Sequence, residues 1–260
     1  MPGLDRLETR LRASRDAGRK LLVPYLTGGL PGWTDGVRAA AANGADVIEI
    51  GLPFSDPVMD GPVIQEASQR ALDAGATPVT ILEEARSLDV DVPLVVMCYY
   101  NTIHHPGHQR FAAMLASAGI WGAIVPDLPL EESGPWCAAA DVEGLSTIML
   151  AAPTAPDDRL PLVCARARGF VYSVGLLGVT GERTSLAATA TALARRLKAV
   201  TDVPVIVGVG VSNADQAVEA CRVADGVVQG ASVVRRFMAE GADGVGEYVA
   251  EVRRALDQGF

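Results

Sequence analysis

Eight short apolar runs, each followed by a segment of good helix formers, constrain this 260-residue chain more than any other feature. They cover residues 21–26, 46–51, 93–98, 121–125, 146–150, 170–174, 203–208 and 226–229. Most are near-continuous rather than alternating, which is the pattern of strands covered on both faces. A helix after every strand carries the chain back to start the next strand in parallel. Eight such βα units without a break in composition predict a closed (β/α)8 TIM barrel rather than an open doubly wound sheet. Helices are expected over 112–118, 131–143, 186–200 and 213–223, several of them starting after a Ser, Asp or Asn that caps. Residues 1–20 mix acids and bases and read as an extra amphipathic N-terminal helix covering the barrel floor, without the continuous apolar core of a signal peptide. No linker or low-complexity tract interrupts the pattern, so residues 1–260 read as a single domain.

Composition narrows the function. With 49% hydrophobic residues the chain can fill a large core, and a net charge of -9, from 31 acids against 22 bases, argues against a nucleic-acid partner, which needs a basic patch. An anionic ligand must then be caught locally, by backbone amides or a helix end. The four cysteines, Cys98, Cys137, Cys164 and Cys221, have no C-x-x-C spacing and imply neither a zinc site nor a disulfide framework, so a reducing cytoplasm fits. No window approaches 18 uninterrupted apolar residues, so no membrane span is expected.

A barrel of this kind works at the C-terminal ends of its strands, and the polar residues there are coherent. Glu49 lies inside the second apolar run, where a charge is costly to bury unless a site uses it. Asp60 follows eleven residues on, after a segment stiffened by Pro53 and Pro57. Tyr99 and Asn101 follow the third run, Asp127 follows the fourth, and Tyr172 sits in the sixth. Each taken alone is also an ordinary strand-end charge, helix cap or amphipathic core residue. After the seventh run come Gly208 and Gly210, and after the eighth Gly230, Ala231 and Ser232 with a short helical run over 233–238. Glycines there let backbone amides approach a phosphate, which a helix N-terminus also favours; turn glycines without a ligand are the alternative. The loop over 175–183 places three glycines around Thr180 and reads as a flap that presents Thr180 inward and the Gly181 N–H to phosphate, or else as a passive long loop. His104, His105 and His108 cluster, but Pro106-Gly107 breaks any helix that would align them, so they are expected as solvated loop residues rather than metal ligands.

With these residues assembled, the chain resembles the tryptophan synthase α subunit family of indole-3-glycerol-phosphate lyases. The similarity runs from PYLTGGLPG at 24–32 through GVTG at 178–181 to the GVGVS and QGAS loops, and PFSDPVMDGPVIQ is its most specific segment. The resemblance implies Glu49 and Asp60 as catalytic acids, Tyr172 as an active-site hydroxyl, Thr180 as a flap residue closing toward Asp60, and the glycine loops as a phosphate cradle. It implies retro-aldol cleavage of indole-3-glycerol phosphate to indole and glyceraldehyde 3-phosphate without metal or organic cofactor. It also implies a β-subunit partner that receives indole in an αββα complex. A stand-alone lyase releasing free indole, or a non-catalytic activator of a β subunit, are the alternatives. A different phosphate-handling barrel, such as a sugar-phosphate epimerase, would call for metal ligands at the strand ends. The chain departs from the family at Ala231, commonly Ser, at Gly175, also commonly Ser, and at Leu177, where a polar residue is frequent.

Overall fold

The computed structural model describes residues 5–175, 188–208 and 210–260. Eight parallel strands close into a barrel in chain order, with β8 pairing back onto β1. In sequence they alternate with helices: α1 (Arg6–Asp16), β1 (Leu21–Thr27), α2 (Trp33–Ala42), β2 (Ile48–Gly51), α3 (Pro62–Asp73), α4 (Pro78–Arg86), β3 (Leu94–Met97), α5 (Tyr100–His104), α6 (His108–Ser117) and β4 (Gly122–Ile124). There follow α7 (Gly134–Val142), β5 (Ser146–Ala151), α8 (Leu160–Arg166), β6 (Val171–Val174), α9 (Ala188–Lys198), β7 (Val205–Gly208), α10 (Ala214–Cys221), β8 (Gly226–Gln229) and α11 (Ala231–Gln258). All eight expected runs are strands. Among the described residues no helix is long and apolar enough to cross a membrane.

Boundaries differ from the sequence expectation where side chains compete with the ladder. β2 starts at Ile48 rather than 46, because the Asp46 carboxylate accepts from the Leu22 N–H at 2.9 Å and from Arg19 at 2.6 Å and so belongs to the turn. The helix expected over 131–143 breaks into a 3₁₀ turn at Leu130–Glu132 and α7, with Pro135 in the first turn of α7, where its missing N–H costs nothing. Residues 186–187 of the expected ninth helix lie outside the described residues, which take it up at Ala188. α11 contains the expected run over 233–238 and bends at Gly241, whose φ of +65 only glycine adopts readily.

Strand parity divides the core in two. Ile48, Ile50 and Val96 face the helix layer and join the main core, whereas Leu21, Val47, Val95, Ile148, Phe170 and Ile206 face the barrel axis. The axial cluster is closed from below by Leu7 and Leu11 of α1, both fully buried. The helix is held there by its cap: one Asp5 oxygen accepts from the Glu8 N–H at 2.7 Å and the other from Ser146 Oγ at 2.8 Å, while Arg6 donates to the Ile120 carbonyl at 3.0 Å. The N-terminal helix therefore covers the floor, as expected. Leu11→Ala should open a cavity under the barrel and cost about 2–5 kcal/mol, read as a fall in urea midpoint at unchanged m-value.

Candidate active site

Glu49 projects into the top of the same axial interior. Its neighbours in register are Tyr25 on β1 and Val95 on β3, so apolar and aromatic groups surround it. The side chain is buried, and its Oε2 has no hydrogen-bond partner among the described residues. An ionised carboxylate cannot sit there cheaply, so burial first, and then the nearby Asp60, push the Glu49 carboxyl up to about 8. Gly51 makes room for this layer: a Cβ there would overlap the Tyr25 hydroxyl.

Asp60 arrives from the loop after β2, and Tyr99 holds it. The Tyr99 hydroxyl accepts from the Met59 N–H at 3.0 Å and bonds the Asp60 side chain, while its ring stacks on Phe54 at 5.1 Å. Two further bonds shape the loop, Asp60 N–H to the Pro57 carbonyl at 3.1 Å and Gln65 Nε2 to the Asp60 carbonyl at 2.9 Å. Burial raises the Asp60 carboxyl to about 6, and the Tyr99 bond restrains the rise. Near neutral pH, then, one acid of the pair keeps its proton and the other has lost it. Tyr172 is pushed well up, chiefly by burial and then by Glu49 and Asp60, and stays protonated.

Glu49, Asp60 and Tyr172 line one cavity of about 580 Å³, walled mainly by apolar groups such as Met97, Ile124 and Leu150. It continues over the ends of β4 and β5 toward Leu128, Trp136 and Arg159, the last already paired with Glu131 at 2.8 Å. Asp127 also lines it, but its carboxylate accepts from the Tyr100 N–H at 2.8 Å and so caps α5. Asn101 is exposed on α5 and does not line the cavity.

The glycine loops lie at the ends of β7 and β8, outside the lining of that cavity. Gly208 has a packing role, since a Cβ there would run into the Tyr172 ring. Gly210 has φ +90, and Gly230 is the N-cap of α11 with open space where a side chain would be. Ala231 and Ser232 open the helix, and Ser232 Oγ lies 2.9 Å from Gln229 Oε1. Gly175 extends the β6 to β7 pairing, its N–H donating to the Gly208 carbonyl at 3.0 Å. Leu177, Thr180 and Gly181 lie outside the described residues.

The histidines differ from expectation. Gly107, with φ +91, folds α6 back on α5, so His104 and His108 are helical and pack against Tyr100, whose hydroxyl is 2.9 Å from His108 Nε2. Among the described residues no three His, Cys, Asp or Glu side chains are grouped to hold a metal. The residue that sequence reasoning undervalued is Tyr99. It was placed on the rim, but nothing in the sequence marks its bond to an acid 39 positions earlier.

A model of the family described as tryptophan synthase alpha chain matches residues 11–257. The tryptophan synthase alpha chain of Streptomyces coelicolor is 44% identical over 260 residues, covering 96% of each chain. That of Thermobifida fusca is 46% identical over 239 residues, covering 89% of this chain and 88% of its own. Among solved structures, a Mycobacterium tuberculosis tryptophan synthase superposes with a TM-score of 0.91 at 35% identity, over 98% of this chain and 99% of that one.

Glu49 carries a stability cost with a definite sign. Between pH 4.5, the ordinary glutamate value, and about 8, the folded chain retains a proton that the unfolded chain has released, so stability is full below 4.5 and falls as pH rises toward 8. At pH 7 the cost is about 3 kcal/mol, at about 1.4 kcal/mol per pKa unit. Glu49→Gln, which cannot ionise, should raise the urea midpoint at pH 8 and leave it nearly unchanged at pH 4.5. An equal shift at both pH values contradicts this account.

Proposed function

The chain belongs to the tryptophan synthase alpha chain family, and from that membership we propose that Glu49 moves the protons of its reaction while Asp60 holds the indole N–H. The protein is a carbon–carbon lyase of tryptophan biosynthesis, cleaving indole-3-glycerol phosphate to indole and glyceraldehyde 3-phosphate. The observation that carries the assignment of roles is the separation of two buried carboxyls facing one cavity, Glu49 near 8 and Asp60 near 6. Two acids whose environments drive their proton affinities apart divide into a proton donor and a charge stabiliser.

Cleavage requires a proton at indole C3, which turns the ring into an electron sink, and loss of the proton from the glycerol hydroxyl as the aldehyde forms. Neutral Glu49 delivers the first proton and, now a carboxylate, removes the second, so it ends as it began. As the C–C bond breaks, its electrons flow into the ring and discharge the positive charge on nitrogen. Ionised Asp60 accepts the ring N–H and stabilises that charge while it lasts. Tyr172, protonated on the same wall, is a donor for the substrate. The phosphate is assigned to the amides of Gly208, Gly210, Gly230 and Ala231 with Ser232, joined by Thr180 and Gly181 of the loop after β6. The barrel order supports that span: β2 is two strands from β8 and three from β7, about 10–14 Å along the wall at 4.8 Å per strand. A three-carbon chain between ring and phosphate suits that separation.

The partner is a tryptophan synthase β subunit in an αββα complex, in the cytoplasm. Val58 and Met59, apolar and exposed on the loop that carries Asp60, favour a protein partner at this rim. The four buried free thiols suit a reducing compartment.

Indole release from indole-3-glycerol phosphate should be slow with the isolated chain and strongly stimulated by a β subunit. High activity alone would instead indicate a stand-alone lyase, and none in either case an activator. Glu49→Gln and Asp60→Asn should each lower turnover at least about a hundredfold in folded protein, the lower end for a lost acid–base group. The profile of kcat/KM against pH should be bell-shaped. Its acid limb, near 6, falls as Asp60 gains a proton, and its alkaline limb, near 8, as Glu49 loses one. A flat profile between 5 and 9 contradicts these roles.

A further inference from the structure

Gln229, the last residue of β8, sits beneath both glycine loops with its side chain buried. Its Oε1 lies 2.9 Å from Ser232 Oγ, in the first turn of α11, and 2.8 Å from Tyr248 Oη, beyond the Gly241 bend. Tyr248 Oη is also 3.1 Å from the carbonyl of Ser212, in the loop after β7. Ser212 is fixed from its other side, since its N–H donates to Gln216 Oε1 at 2.7 Å. One amide therefore connects the two loops assigned to phosphate.

Counting protons shows which way that amide faces. With Oε1 toward the hydroxyls, Ser232 and Tyr248 must both donate to it, and the Ser212 carbonyl loses the single Tyr248 proton. Gln229 Nε2, buried and without a partner among the described residues, would then waste two N–H donors. Exchanging amide oxygen and nitrogen, a choice settled by the hydrogen-bond network rather than by atom positions, removes both faults. Nε2 now donates to Ser232 Oγ and to Tyr248 Oη, and Tyr248 donates to Ser212. Within Gln229, and counting the described residues, only the acceptor Oε1 is left over, which costs less than orphaned donors. The Ser232 hydroxyl hydrogen is released by the same exchange. It becomes a donor beside the opening amides of α11, which have no partners within the helix.

We infer that Gln229 is a positioning residue of the phosphate site: its amide fastens the loop after β7 to the start of α11 and frees the Ser232 hydroxyl to donate to the bound phosphate. This rests on the phosphate assignment made above. It also accounts for Ala231, since the donor absent from that side chain is supplied one residue later.

The test compares wild type with Gln229→Met, which keeps length and loses the amide, and Gln229→Glu, whose carboxylate accepts from both hydroxyls and draws the Ser232 proton back. Gln229→Met should raise the inhibition constant of inorganic phosphate and the KM for indole-3-glycerol phosphate roughly five- to tenfold, about one lost hydrogen bond. The effect on kcat should be smaller, and inhibition by indole should not change. Gln229→Glu should weaken phosphate more than Gln229→Met does. Adding Ser232→Ala to Gln229→Met should cause little further loss, because the two act through one donor. A lower melting temperature with unchanged phosphate inhibition, or equal weakening of phosphate and indole, would mean that the network only supports the fold and would overturn the inference. If phosphate does not inhibit wild type at all, the underlying phosphate assignment falls, and this inference with it.

Discussion

The two-residue period of β2 is the constraint on which the rest depends. Val47 faces the barrel axis and closes on α1, Glu49 faces the same axis one step higher, and Ile48 and Ile50 face the helices. A slip of one residue would bury the acid in the helix layer and send two isoleucines into the cavity. Pairing on both sides excludes the slip, with Glu49 in register with Tyr25 and with Val95. The same pairing leaves the carboxyl among apolar groups, where it is tolerated because it keeps its proton. One feature of the strand thus sets the floor, the position of the acid and its protonation state.

The second acid is held by different means. Asp60 is buried although its neighbours Val58 and Met59 are exposed, so no hydrophobic run draws it inward. Tyr99 does so, by gripping the loop backbone at Met59, bonding the carboxylate and stacking on Phe54. Because the tyrosine hydroxyl bonds the charged form, it opposes the rise that burial imposes. The two carboxyls share a cavity but not an environment. Among the described residues Glu49 has an oxygen with no donor to it, whereas Asp60 has Tyr99.

What could be read from the sequence follows from this division. The barrel was legible because strands buried on both faces are written as unbroken apolar runs, and Glu49 because a charge interrupts one. Interactions between different βα units were not. The bond from Tyr99 to Asp60, and the capping of α5 by Asp127, which read in sequence as a rim acid, join residues far apart in the chain. At Gly208 the sequence showed only one of two reasons for a glycine. A glycine at a strand end suggests an amide offered to an anion, and its missing side chain also leaves room for the Tyr172 ring. The histidines read as loop residues because Pro106-Gly107 breaks the helix, and that break is what folds them onto Tyr100.

Charge decides where a phosphate fits at this rim. The chain carries a net charge of -9, and the arginine that lines the cavity, Arg159, is already paired with Glu131. Among the described residues, no free cation is therefore offered at the β4 and β5 side of the cavity. A phosphate close to the acids would also raise Asp60 further and cost it the ionised form that its proposed role needs. The backbone amides proposed for the phosphate, at the ends of β7 and β8, meet both conditions, since main chain can bind an anion without a counter-charge and these ends lie two to three strands round the barrel from β2. The arrangement that lets Glu49 keep a proton, an apolar wall with few charges, is thus the same one that favours the proposed main-chain site for the anion.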